Sequence, residues 1–388
     1  MQDGPQTSAE QVAAEFQRCY GYPPEGVWGA PGRVNLIGEH TDYVGGFVLP
    51  MALPNRTRAA VRRRFDGVLV FASTRTEERV EISLGELAPG RVRGWAAYPA
   101  GVVWALHAAG HDIVGAEVLV GSDVPVGSGL SSSAALECSV GLALTELSGL
   151  ALGRAELALL CQHAENTFVG MPSGVMDPMA SLCCTEGTAL FLDCRSLHAE
   201  TVPFALGDQG LELLVVDTRA PHRLVDGAYA DRRMSAGEAA VALGVASLRD
   251  ISREQLPAAL DRLDERLRPR ARHIVTENAR VLVTVDLMRA GDYAAVGQLM
   301  NMSHASLRDD YEVSSPELDT AVDAAVKAGA LGARMTGGGF GGCAIALLER
   351  DRRDEVEQAV REAYAERGFT EPRFFPATAA AGAHRETA

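Results

Sequence analysis

The sequence predicts an α+β protein of two domains, built from mixed and antiparallel sheets with helices. Three observations predict it. The chain has 388 residues, and at roughly 150 residues per domain that is room for two or three domains with large cores. Helical and strand-like segments alternate irregularly rather than as strict βαβ units. The character of the chain changes near residues 196–210, which divides it into 1–200 and 201–372 with a terminal stretch 373–388 expected to return to the first half.

The elements follow in order. Ser8 and Gln11 have the spacing of a capping box and start a helix that runs to about Tyr20. Gly26 to Ala30 reads as a strand, followed by a loop to Gly46. Thr57 to Arg64 and Val68 to Ser73 are rich in β-formers. Trp95 to Ala109 has helical spacing, and Ala116 to Ser122 is a strand. A Gly/Ser loop leads into an apolar helix from Ser131 to about Leu147, and Arg154 to Thr167 is another helix. Gly187 to Cys194 is a strand. The second half opens with a strand, Leu211 to Asp217, and continues with helices near 227–243, 268–290 and 292–309. Ser315, Pro316 and Glu317 give a cap, a first-turn proline and an acidic first turn, and Gly329 ends that helix. Two strands flank Thr336 to Gly342. A helix from about Arg352 to Gly368 and a short strand near Arg373 to Phe375 complete the chain.

Composition narrows the function. With 47% hydrophobic and 22% charged residues, disorder and a small disulfide scaffold are excluded. Apolar runs are interrupted well before the ~20 residues of a membrane span. Met1 to Glu10 lacks a basic segment followed by an apolar run, so no signal peptide is expected. The net charge of -15 disfavours binding to nucleic-acid phosphate or anionic lipid. The 7 cysteines form no C-x-x-C pair and read as reduced, buried thiols of a cytoplasmic protein, with the neighbours Cys183 and Cys184 as the alternative redox pair. Lys327 is the sole lysine, so Walker-type ATPases and protein kinases, which need a phosphate-binding lysine, are excluded.

Three loops could carry chemistry. PGRVNLIGEHTDYVGG, Pro31 to Gly46, gathers Arg33, Asn35, Glu39, His40 and Asp42 within ten residues. Carboxylates beside a neutral donor suit a polyhydroxylated ligand, since each buried hydroxyl needs a partner; the bland alternative is a solvated turn. SDVPVGSGLSSSAALECS, Ser122 to Ser139, turns at Gly127, Ser128 and Gly129 and opens a helix at Ser131, Ser132 and Ser133, offering backbone N–H groups to an anion; the alternative is a helix cap. Without a usable lysine, phosphate charge falls to N–H groups, arginine and a divalent ion, for which one serine hydroxyl and one carboxylate suffice. RMTGGGFGGCAI, Arg334 to Ile345, packs glycines 337, 338, 339, 341 and 342 between two apolar strands, allowing close backbone approach; the alternative is a hairpin turn. Glu165 and Asp177 are carboxylates among apolar residues and need partners. Tyr229 precedes Arg232 and Arg233 and, taken alone, reads more readily as a core aromatic than as a ligand contact.

These loops, in this order, resemble the GHMP small-molecule kinases. GRVNLIGEHTDY followed by GG, the PVGSGLSSSAAL run, GVMDP, Tyr229 before paired arginines, SSPELD and MTGGGFGG resemble the galactokinase family within it, from about residue 8 to residue 376. The resemblance implies a two-domain GHMP kinase fold with the active site in the interdomain cleft. It implies transfer of the γ-phosphoryl of MgATP to the anomeric hydroxyl of D-galactose, by a cytoplasmic monomer. Glu39, His40, Thr41, Asp42, Gly174 and Tyr229 would hold the sugar. Gly127, Ser128, Gly129, Leu130, Ser131, Ser132 and Ser133 would hold the ATP phosphates, with Ser73 touching the nucleotide. Ser133, or alternatively Ser132, would hold Mg²⁺ with Glu165; Asp177 would be the base and Arg33 its partner. The alternatives are a kinase for galacturonate, arabinose or N-acetylgalactosamine, and a non-catalytic sugar and ATP sensor. The sensor-type relatives lack a Ser-Ala pair that stands here as Ser133 and Ala134.

Overall fold

The computed structural model describes residues 7–220 and 225–387; the stretch Met1 to Gln6, read above for a leader, lies outside them. Helix α1 (Ala9–Tyr20) begins with the expected capping box at Ser8 and Gln11. Strands β1 (Gly26–Asn35), β2 (Phe47–Val48), β3 (Pro50–Arg64), β4 (Val68–Ser73) and β5 (Thr76–Ser83) follow, then α2 (Ala97–Ala108), β6 (Gly115–Ser122), α3 (Ser132–Leu147), α4 (Arg154–His163), α5 (Met176–Cys183), β7 (Thr188–Asp193) and β8 (Ala199–Pro203). The second half contains β9 (Leu211–Asp217), α6 (Val225–Leu243), α7 (Leu256–Asp261), α8 (Leu267–Ala290), α9 (Tyr293–Asp309), α10 (Pro316–Lys327), β10 (Gly332–Thr336), β11 (Cys343–Glu349), α11 (Arg353–Arg367), β12 (Arg373–Ala377) and β13 (His384–Thr387).

A six-stranded sheet has the order β13-β1-β3-β6-β4-β5 and a four-stranded sheet the order β10-β11-β9-β12; β2-β7-β8 form a third. All pairings are antiparallel except β4 with β6. One core lies between the large sheet and α2 to α5, and a second joins the four-stranded sheet to α6 and α8 to α11. A third runs through the seam between the halves, joining Val34, Leu36 and Leu49 to Leu213, Val281, Val285 and Ile345.

The structure departs from the sequence expectation where burial is uniform. Strand β1 extends to Asn35 instead of ending at Ala30, because all ten of its residues are buried and no alternation marks them. Its register shifts between Pro31 and Arg33, a bulge that accommodates a proline without an N–H. Strand β3 begins at Pro50, ahead of the expected Thr57. The helix expected to run to Thr167 leaves α geometry at His163 and continues as one π-helical turn, Ala164–Val169. Ser131, at the position before α3, lies in the left-handed region, φ 60, so the helix starts at Ser132. The strand near Arg373 to Phe375 is β12, which pairs with β9 in the second sheet. Return to the first half therefore starts after Ala377 rather than at residue 373, through β13 beside β1. Cys183 and Cys184 are free thiols that burial pushes up to about 11 and about 12, which leaves little thiolate for redox chemistry at neutral pH.

Candidate active site

Strand β1 carries Arg33 into the cleft just past its bulge. The guanidinium is 4% exposed. Its Nε and Nη2 donate to the two carboxylate oxygens of Asp177 at 2.7 and 2.8 Å, and Nη1 donates to the Gly129 carbonyl at 2.6 Å. The Arg33 N–H also donates to the Leu130 carbonyl at 3.1 Å. One residue thus fixes the acid at the start of α5 and the Gly/Ser loop before α3. The pairing is bidentate, a geometry that lysine cannot make. Burial would lower the Arg33 pKa, but Asp177 and Glu39 beside it hold the charge above its ordinary value. Ser131 leaves the helix end uncapped and donates its hydroxyl to Asp177 Oδ2. Oδ2 then has both lone pairs engaged, and Oδ1 keeps one free for a substrate hydroxyl.

Asp42 stands opposite in a short 3₁₀ turn, Asp42–Val44. Among the described residues it forms no ion pair. Burial, with Asp177 and Glu39 nearby, raises its pKa from 3.8 to about 6. A Cβ at Gly174 would lie 1.7 Å from its Oδ2, so that position admits only glycine if Asp42 is to sit there. His40 has φ 63. Burial drives its pKa down to about 3, so the ring is neutral. Its Nε2 faces the Gly338 carbonyl at 3.1 Å and its Nδ1 faces the Tyr43 hydroxyl at 2.9 Å. A carbonyl only accepts, so Nε2 carries the proton and Nδ1 accepts from Tyr43. Both ring nitrogens are thus engaged within the protein. Tyr229, on α6, packs on His40 and Tyr43 with ring centroids 5.3 and 5.6 Å away. Burial raises its pKa far above the ordinary value, so its phenol stays neutral and can both donate and accept.

Glu39 is 1% exposed. Oε1 accepts from the Gly337 N–H at 2.6 Å and from Thr336 at 3.3 Å. Oε2 accepts from Asn35 and lies 3.5 Å from Arg334 Nη2. The Gly337 backbone, at φ +84, also lies so close to the Gly129 carbonyl that a Cβ would come within 2.7 Å. The glycine-rich turn after β10 therefore touches both other loops, more than a hairpin requires.

The Gly/Ser loop before α3 is an open cradle. Gly127 and Gly129 have positive φ. The α3 N-terminus has no side-chain cap, which leaves the N–H groups of Ser132, Ser133 and Ala134 free for an anion. Glu165 sits in the π-turn, 7% exposed. Burial raises its pKa, with the Ser173 and Ser133 hydroxyls beside it pulling the other way. A buried carboxylate next to a serine hydroxyl is a hard-oxygen pair that fits Mg²⁺ completed by phosphate and water. Among the described residues no cluster of three His, Cys, Asp or Glu side chains could hold a metal, so such a site would lean on non-protein oxygens.

A cavity of about 150 Å³ opens where these groups meet, lined by Arg33, Glu39, His40, Asp42, Glu165, Gly174, Asp177 and Tyr229. Thr41 is the exception among the expected sugar residues: its hydroxyl lies 2.8 and 2.7 Å from the Gly38 and Phe47 carbonyls, inside the loop's own scaffold, and gives its one proton to either of them. Ser73 lies outside the cavity, at the end of β4 level with Val120 of the parallel β6; it is thus at the edge from which the Gly/Ser loop departs. Gly337 and Gly338, expected to allow close backbone approach, also line the cavity. Sequence reasoning missed the cavity wall Met171, Pro172, Ser173 and Met176. It also missed the grip of α8: Glu277 accepts from the Gly38 N–H at 2.9 Å, His273 Nε2 faces the Glu39 carbonyl at 3.1 Å, and Asn278 accepts from the Phe47 N–H at 2.8 Å. The i, i+4, i+5 spacing of polar groups on one helix was the available signal.

Residues 14–63 match the galactokinase galactose-binding signature, 97–185 the GHMP kinase N-terminal domain and 284–366 the GHMP kinase C-terminal domain. The galactokinase of Streptomyces coelicolor is 52% identical, covering 97% of this chain and 98% of that protein. The galactokinase of Mycobacterium tuberculosis is 46% identical over 92% and 98%. The crystal structure of Lactococcus lactis galactokinase complexed with galactose has a TM-score of 0.93 at 37% identity, covering 97% of this chain and 99% of that one. A mevalonate kinase from Methanococcus jannaschii, 17% identical, shares the fold at a TM-score of 0.63, covering 91% and 98%. By these full-length likenesses and the loops that carry them, the chain belongs to the galactokinase family of GHMP kinases.

Proposed function

We propose that the enzyme transfers the γ-phosphoryl group of MgATP to the anomeric hydroxyl of D-galactose, giving galactose 1-phosphate and ADP. The observation that carries this reading is the Arg33 side chain, which bonds at once to Asp177 on the sugar side and to the Gly129 carbonyl in the phosphate loop. Transfer of this kind rests on positioning and charge stabilisation. The anomeric oxygen forms the new O–P bond as the bond from the γ-phosphorus to its bridging oxygen breaks. The hydroxyl proton passes to Asp177 through its free Oδ1 lone pair. Arg33 faces the charge on the moving phosphoryl group. Asp42 and the Tyr229 phenol read sugar hydroxyls, and Glu39 offers an acceptor whenever Thr336 gives its proton to the Asn35 carbonyl instead. The N–H groups at the start of α3 hold phosphate. Ser133 and Glu165 hold Mg²⁺, which when bound neutralises phosphate charge. The enzyme works in this reading as a cytoplasmic monomer, a state that sedimentation checks.

The test is ADP release across a sugar panel with and without Mg²⁺. Galactose-dependent, magnesium-dependent turnover is expected. A faster rate on galacturonate, arabinose or N-acetylgalactosamine would reassign the substrate, and tight galactose binding without ADP release would make the protein a sensor.

A further inference from the structure

One strand end of the second half is devoted to a single carboxylate of the first. Arg334, Thr336 and Gly337, at the end of β10 and in the turn after it, all reach Glu39. Arg334 is wholly buried. Its Nε faces Ser303 at 3.2 Å and its Nη1 donates to the Asn35 carbonyl at 3.0 Å. Among the described residues its Nη2 has no hydrogen-bond partner. That nitrogen lies between two carboxylates, 3.5 Å from Glu39 and 3.8 Å from Glu277. The two acids are not equivalent. Glu277 is already held by the Gly38 N–H, the Ser303 hydroxyl and the Arg280 guanidinium. Glu39 has neutral donors and Arg334, with Arg33 acting from farther off. A buried carboxylate without a cationic partner protonates or moves.

We propose that Arg334 is a positioning residue for sugar binding, fixing the Glu39 carboxylate at the cavity wall in register with the Gly337 and Gly338 backbone. Arg334 touches no substrate. It acts through Glu39, and so sets galactose affinity and leaves ATP affinity alone. The proposal rests on the galactokinase reading and on Glu39 facing the sugar.

The experiment is steady-state kinetics on the parent, Arg334→Gln, Arg334→Lys, Glu39→Gln and the Arg334→Gln/Glu39→Gln double variant, each with a melting curve. In Arg334→Gln the galactose KM should rise about tenfold or more, as expected when a buried carboxylate loses its cationic partner, while the ATP KM stays within about twofold of the parent. Arg334→Lys keeps charge and loses the fork, so it should fall between the two. The double variant should be no worse than the poorer single, since both remove one coupled contact. Equal rises in the galactose and ATP KM values, or additive effects in the double variant, overturn the proposal. If Arg334→Gln does not fold, Arg334→Lys decides, and a galactose KM equal to the parent's overturns it. A parent that does not phosphorylate galactose sinks the functional reading itself, a different outcome from a working parent whose variants do not move.

Discussion

Asp177 and Asp42 share a cavity and differ in their partners. Asp177 is locked by Arg33 and Ser131. Asp177→Asn keeps the shape and cannot accept a proton, so kcat should fall by about 10² or more with galactose still bound. A kcat within a few-fold of the parent would leave Asp177 a purely positional role. Asp42 has no cationic partner among the described residues, and burial takes it to about 6. Its carboxylate form accepts hydrogen bonds from sugar hydroxyls, so the galactose KM should rise as pH falls through about 6. The sign for stability is opposite: the folded pKa lies above the ordinary 3.8, so the contribution is complete below 3.8 and lost as pH rises past about 6. Galactose KM for the parent and Asp42→Asn from about pH 5 to 8 checks this; the parent should vary and the variant stay flat. The site was legible at this scale wherever functional residues crowd into a few positions, as at Arg33, Glu39, His40 and Asp42. Their supports were not, because Glu277 and His273 lie 239 and 234 residues from the groups they hold.

Among elements, the π-turn after α4 bears most directly on chemistry. The wider i→i+5 turn holds Glu165 out of register with the helix before it, beside Ser133 and Ser173. Glu165→Ala should raise the Mg²⁺ concentration for half-maximal rate far more than the galactose KM, as a magnesium titration would read. An unchanged magnesium dependence would move the carboxylate ligand elsewhere. The turn was invisible in sequence because α and π spacing differ by a fraction of a residue over so short a stretch. Strand β1 was half visible for another reason: Pro31 argues against a strand, and only the bulge beside it lets the chain stay in the sheet as far as Asn35.

At the scale of the whole molecule, the two halves are joined across the sugar loop. The α8 contacts hold Gly38, Glu39 and Phe47, Ser247 and Arg249 hold the Val44 and Gly45 carbonyls, and a shared apolar core lies beneath them. Calorimetry should show a single unfolding transition whose calorimetric and van't Hoff enthalpies agree. Two resolved transitions would mean that the seam is weaker than its packing indicates. The change of character near residues 196–210 suggested two halves, but not how tightly they are held, since no local pattern reports a contact made hundreds of residues away.

Strand β13 gives the fold a history in time. The Val27 N–H donates to the hydroxyl of Thr387, 360 residues downstream. While the ribosome is still making the intervening chain, the outer edge of β1 has no neighbour, and an open edge invites pairing with other nascent chains. Every full-length molecule passes through that stage, and a premature stop codon or a protease cut after β12 would make it permanent. The cell would then hold a chain that retains the sugar loop, the phosphate loop and both large cores, yet is prone to aggregate through the strand that carries Arg33.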